Sequence, residues 1–186
     1  MKISKSLIAI IAVVVIIGAW AASAYNSMVG VQEQATTALA NVQSTYQRRA
    51  DLIPNLVETV KGYMTHERET LEAVTNARAA VAGASTPEAA MAASGQLSQA
   101  LGHLFAVAEA YPELKANSNF AQLQADLTDT ENKISYARMS FNDCVLEYNN
   151  AIETFPGNIV AGSKFRTRQG FVVTDEAARQ APSVKF

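Results

Sequence analysis

The 186-residue chain contains one cysteine and two histidines. A single cysteine, Cys144, excludes an internal disulfide, so the fold must be held together by its apolar core. The segment that starts at His66-Glu67 begins like the zinc-binding pattern H-E-x-x-H, but Thr70 replaces its second histidine. The other histidine, His103, lies more than thirty residues away, whereas a zinc site of this kind needs three protein ligands, with a histidine pair at i and i+4 to set its geometry. We therefore expect no metal site and no cofactor.

Signatures of catalysis are also missing. The sequence has no G-x-S-x-G segment and no glycine-rich phosphate loop. Glu67, Glu69 and Glu72 surround Arg68, a mixture that is typical of a solvated helix face rather than of a general acid and base. Cys144 has no histidine near it in sequence and falls on a helix seam, which favours a buried, unreactive thiol. We expect that the protein is not an enzyme.

Charge is sparse and unevenly placed. Charged residues make up 17% of the chain, and the net charge is −2. Residues 25–156 carry fifteen acidic and eight basic side chains, whereas residues 157–186 carry a net charge of +3. Neither part has the dense basic patch that nucleic-acid binding requires, so no nucleic-acid partner is expected.

The chain begins with a long hydrophobic run. Residues 7–24 read LIAIIAVVVIIGAWAASA, without a charge, after Lys2 and Lys5. As a helix this run is about 27 Å long, close to the roughly 30 Å thickness of a bilayer core. Only a helix satisfies every backbone polar group within lipid. We therefore predict a transmembrane anchor over residues 1–24, in contact with the bilayer through residues 7–24.

The flanking charges predict the orientation of the anchor. Both lysines lie before the run, and the first charge after it is Glu33, so the positive-inside rule leaves the N-terminus in the cytoplasm. The expected location is the bacterial inner membrane, with the rest of the chain periplasmic or extracellular. A cleaved signal peptide is the alternative, because Ala22-Ser23-Ala24 forms an A-x-A site. The run exceeds the usual 7–15 residues of a signal peptide, which favours the uncleaved anchor.

Apolar residues after the anchor recur with helical period. The clearest series is an a/d seam of five heptads: Phe120, Leu123, Leu127, Thr130, Ile134, Ala137, Phe141, Cys144, Tyr148, Ala151 and Phe155. Similar stripes cover residues 31–46, 53–81 and 90–111. Thr86 before Pro87 is a predicted N-cap, Asn117 and Ser118 are both N-cap candidates for the next helix, and Pro156-Gly157 is a predicted stop. The pattern predicts an all-α fold: an up-down antiparallel bundle of about four long helices over residues 25–156.

Two polar segments are candidate interaction sites. Arg48 and Arg49 precede Asp51 and Pro54, an order that predicts the end of one helix and the beginning of the next, with charges matched to the helix dipoles. The alternative is a fork that binds a carboxylate or phosphate of a partner. The second segment, Lys164, Arg166 and Arg168, belongs to the basic tail over residues 157–186. The tail is expected to be irregular or a short extended segment, and its bases to meet lipid headgroups or the acidic bundle of a neighbouring copy.

Three blocks of the sequence resemble the LemA family of bacterial membrane proteins: Gln47–Ala79, Ala110–Arg138 and Tyr148–Gly162. Tyr25-Asn26 after the anchor fits the same pattern. The resemblance implies one N-terminal membrane helix and a long-helix antiparallel bundle outside the cytoplasm, with no established activity, cofactor or catalytic residue. Residues 163–173 read SKFRTRQGFVV and depart from the Gly-Phe and Pro-Tyr-Phe rich end that is common in the family.

We therefore expect a non-enzymatic, membrane-anchored scaffold or interaction protein that forms a homo-oligomer or docks a membrane protein partner. A second hypothesis is a periplasmic sensor that binds a ligand between its helices and signals through a separate membrane partner. About six residues are expected on the cytoplasmic side, too few for an output domain, so this hypothesis needs the separate partner.

Overall fold

The computed structural model describes residues 4–64 and 66–171. Within these residues the chain is helical and contains no strand. The six helices are α1 (Lys5–Lys61), α2 (Arg68–Ala82), α3 (Pro87–Ala108), α4 (Pro112–Lys115), α5 (Ser118–Glu153) and α6 (Gly157–Val160). The predicted all-α class is confirmed.

The helices form a head and a stalk. Helices α1 and α5 run antiparallel, and the α2–α3 hairpin packs beside the halves of both helices that lie farthest from residue 5. We call the four-helix part the head: α2, α3, α1 from residue 36 and α5 up to residue 141. The stalk is formed by residues 21–35 and 142–171, where no third long helix covers α1 and α5. Its core is a separate cluster built around Met28, Tyr148, Ile152, Ala161 and Phe165.

The predicted helix break near Asp51 is wrong, because α1 continues through Pro54 to Lys61. Proline has no N–H, so the carbonyl of Ala50, four residues earlier, loses its helical partner. The structure supplies another donor, since Nε of Arg78 on α2 lies 2.9 Å from the Ala50 oxygen. Ala50 is buried, and an unpaired carbonyl there would be costly. The chain turns instead at residues 62–67, so the 53–81 stripe spans two helices.

The seam of α5 follows the prediction in the head and shifts in the stalk. Phe120, Leu127, Ile134 and Phe141 are buried as expected. Further along, Tyr148 is buried as predicted, but Val145 and Ile152 are buried where Cys144 and Ala151 were expected and are half-buried. Phe155 follows the end of α5 and is exposed. A straight helix with 3.6 residues per turn drifts about 20° per heptad from a strict seven-residue repeat, which over five heptads amounts to one residue.

The predicted N-cap Thr86 is confirmed, and of the two candidates before α5 the structure selects Asn117. The Thr86 side chain accepts a hydrogen bond from the N–H of Ala89, with Pro87 at the first position of α3. The Asn117 side chain accepts from the N–H groups of Asn119 and Phe120 and so begins α5. Asn117 ends the α3–α5 connection, which lies at the far end of the head, where the Tyr111 hydroxyl donates to Glu67.

Candidate functional site

The first functional feature is the N-terminal part of α1. Within the described residues, α1 is the one helix that is long and apolar enough to cross a membrane. The rest of the chain buries no part of the most apolar stretch of α1, and the large side chains from Leu7 to Trp20 are exposed. The same helix continues without a break into the head. At 1.5 Å per residue, the part from Tyr25 to Lys61 extends about 55 Å.

A polar layer crosses the middle of the head. Arg49 is 4% exposed, forms an ion pair with Glu131 on α5, and donates to the Ser98 hydroxyl on α3 at 2.9 Å. The same hydroxyl lies 3.1 Å from Glu131. Burial lowers the pKa of Arg49, and the negative charge of Glu131 opposes that shift. One side chain of α1 therefore ties together three helices.

Tyr46 and Arg138 extend this layer by one turn. Nε of Arg138 donates to the Tyr46 hydroxyl at 2.8 Å, and the guanidinium carbon lies 5.5 Å from the centre of the tyrosine ring. Burial raises the pKa of Tyr46, with Arg138 acting in the opposite direction. The Arg49 Nε is the buried side-chain polar atom without a partner among the described residues. These contacts hold α1, α3 and α5 in a fixed position relative to one another, so we interpret the layer as structural.

The first candidate segment is thus divided between interior and surface. Arg49 is committed to the head interior, whereas Arg48 and Asp51 are exposed on the outer face of α1. Asp51 accepts a hydrogen bond from Gln47 at 2.7 Å, one turn earlier on the same helix. The structure therefore does not bring the three residues together as a fork.

The second candidate segment lies in an extended strap, residues 163–171, that follows the stalk back toward the head. Two asparagines of α5 hold it. The Asn149 side chain bonds both the N–H and the C=O of Arg168, each at 2.9 Å. Asn142 bonds the N–H and C=O of Phe171 in the same way, at 2.7 and 3.0 Å. Each asparagine amide thereby forms the pair of hydrogen bonds that the backbone of a neighbouring β-strand would form.

The spacing of these two clamps follows from backbone geometry. Asn142 and Asn149 are seven residues apart, which is about 10.5 Å along a helix. Arg168 and Phe171 are three residues apart, which is about 10 Å along an extended chain. Three residues of an extended strap therefore match two turns of α5, which lets both asparagines reach the strap backbone. The predicted irregular or short extended tail is confirmed for residues 165–171, which belong to no helix or strand. The remaining tail lies outside the described residues.

The basic side chains of the strap differ in their surroundings. The Lys164 ammonium contacts the Tyr25 hydroxyl and lies 4.8 Å from the centre of its ring. The Arg168 guanidinium lies 5.4 Å from the centre of the Tyr148 ring and donates to Thr36 at 3.1 Å. Arg166 is exposed, while its backbone carbonyl accepts from Tyr148. Lys164 and Arg168 thus contact their own stalk.

The sequence analysis missed several residues that organise this region: Arg78, Glu131, Asn142 and Asn149. Asparagine is a poor residue for a helix interior, so two of them at heptad spacing beside the seam were a usable signal. In the sequence Glu131 does not differ from any exposed acidic residue, because its partner Arg49 lies far away in the chain, on α1. Arg78 lies within the apolar stripe over residues 53–81, and nothing near it in sequence indicates its partner.

A cleft lies where the strap meets the head. Its volume is about 650 Å³. Apolar walls come from Leu39, Met91, Phe141 and Phe171, and charged groups come from Glu88 and Arg168. Elsewhere in the described part of the chain, no three His, Cys, Asp or Glu side chains converge to hold a metal ion.

An outward row of apolar side chains follows α5. Tyr136, Met139 and Leu146 are exposed and, at 100° per residue, fall within about 80° of one another. Asp143 lies on the same face. The row points away from the head core, so no described part of the chain covers it.

These observations define a class of protein: a long-helix bundle continuous with one apolar N-terminal helix, and strapped by its own C-terminal segment. The LemA family model matches residues 38–186, and the protein belongs to the LemA family. The family resemblance in the sequence is thereby confirmed.

Several curated relatives are similar to this chain. Magnetosome protein MamQ of Magnetospirillum gryphiswaldense is 26% identical over 163 residues, covering 74% of this chain and 60% of that protein. Protein LemA of Metamycoplasma hominis is 25% identical over 137 residues, covering 73% of this chain and 63% of that protein. Magnetosome protein MamQ 2 of Paramagnetospirillum magneticum is 25% identical, with 60% of it covered. The chain therefore spans less than two thirds of the length of these relatives.

Proposed function

We propose that this protein is a non-enzymatic, membrane-anchored scaffold that self-associates or docks a membrane partner. Residues 1–24 form the anchor in the bacterial inner membrane, with the N-terminus in the cytoplasm. Residues 25–156 form the bundle outside the cytoplasm, and residues 157–186 the basic tail. The observation that carries the proposal is the continuity of α1 from the apolar run to the far end of the head. A single rigid helix holds the head at a fixed distance from the lipid.

The surfaces left for a partner also favour a scaffold. The head core uses the apolar stripes of α1, α2, α3 and α5 internally, so association depends on what lies outside them. The row Tyr136, Met139 and Leu146 is apolar enough to support contact between copies. Arg48, Asp51 and Arg166 remain exposed for polar contacts around it. Arg49, Lys164 and Arg168 contribute indirectly, by holding the head and the strap in place.

Replacing Tyr136, Met139 and Leu146 together by glutamine tests self-association. Burying each side chain at an interface is worth about 1.5–3 kcal/mol, so the triple variant is expected to weaken assembly at least about 100-fold. Light scattering of the full-length protein extracted in mild detergent measures the change in mass. The matched control replaces Ala125, Thr128 and Asn132, which are exposed elsewhere on α5, by glutamine. Monomeric wild-type protein, both in detergent and after crosslinking in native membranes, would count against self-association.

The second candidate function is a ligand-binding sensor, which the 650 Å³ cleft favours. Its volume and apolar lining suit a small molecule, with Arg168 and Glu88 available for polar contacts. A ligand at 100 times its Kd is expected to add about 2.7 kcal/mol to the free energy of unfolding. A thermal-shift screen of the full-length protein, repeated with Met91→Trp to fill the cleft, measures this. A stabilisation that survives Met91→Trp would place the ligand elsewhere.

A further inference from the structure

Three exposed apolar side chains lie together at the end of the stalk where α1 leaves the bundle. Trp20 is 42% exposed, Phe155 is 72% exposed and Ile159 is 67% exposed. The ring centres of Trp20 and Phe155 are 6.2 Å apart. Trp20 comes from the apolar run, whereas the other two come from the turn after α5. The turn therefore lies beside the anchor although it is 135 residues away in sequence.

The turn is held in this orientation by the structure on both sides of it. Ile152 before it and Ala161 after it are buried in the stalk core. Gly157 packs so closely against α5 that a Cβ atom there would overlap the Ala151 carbonyl oxygen. The N–H of Asn158 donates to the Thr154 carbonyl at 3.1 Å, and the N–H of Ala161 donates to the Gly157 carbonyl at 2.7 Å. Phe155 and Ile159 cannot turn inward, because the stalk core is already filled.

The position of the turn along α1, measured from the end of the apolar run, indicates what covers its exposed side chains. Trp20 lies four residues, or about 6 Å, before the run ends at Ala24. The interfacial region of a bilayer is about 5–8 Å thick on each side of the hydrocarbon core. Aromatic side chains are enriched in this region. With α1 spanning the membrane, Trp20 lies about 6 Å inside the outer edge of the hydrocarbon core, so a group that touches it reaches the outer ends of the acyl chains, next to the headgroup boundary.

We propose that the turn Phe155–Ile159 is a second membrane-binding element that inserts beside the anchor into the headgroup–acyl boundary. This inference rests on the proposed membrane anchoring of α1. The charges near this level are Glu153, at the end of α5, and Lys164, held beside Tyr25. Lys164 is placed to meet lipid phosphate, while the apolar tip enters the boundary. Two contacts, at α1 and at the turn, fix both the tilt of α1 and the direction in which the head faces.

Trp20 is the only tryptophan of the chain, so single-tryptophan variants report depth directly. Three full-length proteins are compared in vesicles of phosphatidylcholine and phosphatidylglycerol: the wild type, Trp20→Phe with Phe155→Trp, and Trp20→Phe with Tyr136→Trp. Part of the phosphatidylcholine is brominated, either near the headgroup or deep in the acyl chain. Tyr136 is an exposed aromatic residue of α5, about 28 Å along the helix from Phe155.

The inference predicts that lipid brominated near the headgroup quenches tryptophan at position 155 at least about twofold, as expected for an interfacial aromatic group. Deep bromine is expected to quench it less, and position 136 is expected to stay within about 10% of its unquenched emission. An unquenched position 155 together with a quenched Trp20 would overturn the second contact and leave the anchor intact. An unquenched Trp20 would instead overturn the membrane anchor itself. Circular dichroism confirms that each variant keeps its helices.

Discussion

Replacing Glu131 by alanine is expected to lower the free energy of unfolding by about 2–4 kcal/mol. The reason is the asymmetry of the pair: Arg49 is 4% exposed, whereas the carboxylate partner is half-exposed. Removing the carboxylate leaves a buried guanidinium, whose Nε already lacks a partner, without its counter-charge. Urea unfolding of the full-length protein in detergent, followed by circular dichroism, measures the loss.

A second substitution tests whether the buried charge causes that loss. Arg49→Met keeps most of the side-chain volume and removes the charge, so adding it to Glu131→Ala is expected to restore stability to within about 1 kcal/mol of the wild type. The control is Asp129→Ala, which removes an exposed i, i+4 pair with Lys133 and is expected to change stability by less than about 0.5 kcal/mol. A double variant as unstable as Glu131→Ala would mean that the loss comes from packing instead.

Removing both asparagine clamps is expected to release the strap. In the variant Asn142→Ala with Asn149→Ala, the N–H and C=O groups of Arg168 and Phe171 lose the bonds that hold them to α5. Each lost clamp is expected to cost about 1–2 kcal/mol of local stability, so the loss of both should let trypsin cleave after Lys164, Arg166 and Arg168 about 30- to 1,000-fold faster. Timed proteolysis with mass spectrometry measures the rate.

Asn150 offers a matched control, because it is an exposed asparagine of the same helix, whereas the side-chain hydrogen bonds to the strap come from Asn142 and Asn149. Asn150→Ala is expected to leave the cleavage rate within about twofold of the wild type, since surface substitutions usually change stability by less than about 0.5 kcal/mol. Equal cleavage of the control and the double variant would contradict the clamp. In that case the apolar contact of Phe171 with Phe141 would be what holds the strap.

The Pro54 region shows where local sequence reasoning is limited. Arg48, Arg49, Asp51 and Pro54 together have every local mark of a helix boundary, yet α1 passes through them. The free carbonyl of Ala50 receives its donor from Arg78, which lies on another helix. The conformational preferences of the residues around Pro54 do not include that donor, because Arg78 lies near the Ala50 carbonyl only when α2 packs against α1.

The sequence by itself determined the helical class, the apolar run over residues 7–24, the cap Thr86, and most of the apolar face of α5. These follow from hydrophobic period and from hydrogen bonds between residues close in the chain. Only the tertiary structure decided that Arg49 is buried against Glu131, that Asn142 and Asn149 hold the strap, and that Phe155 lies beside Trp20. Each of these depends on which helices become neighbours, and burial and pairing are properties of that arrangement rather than of any one segment.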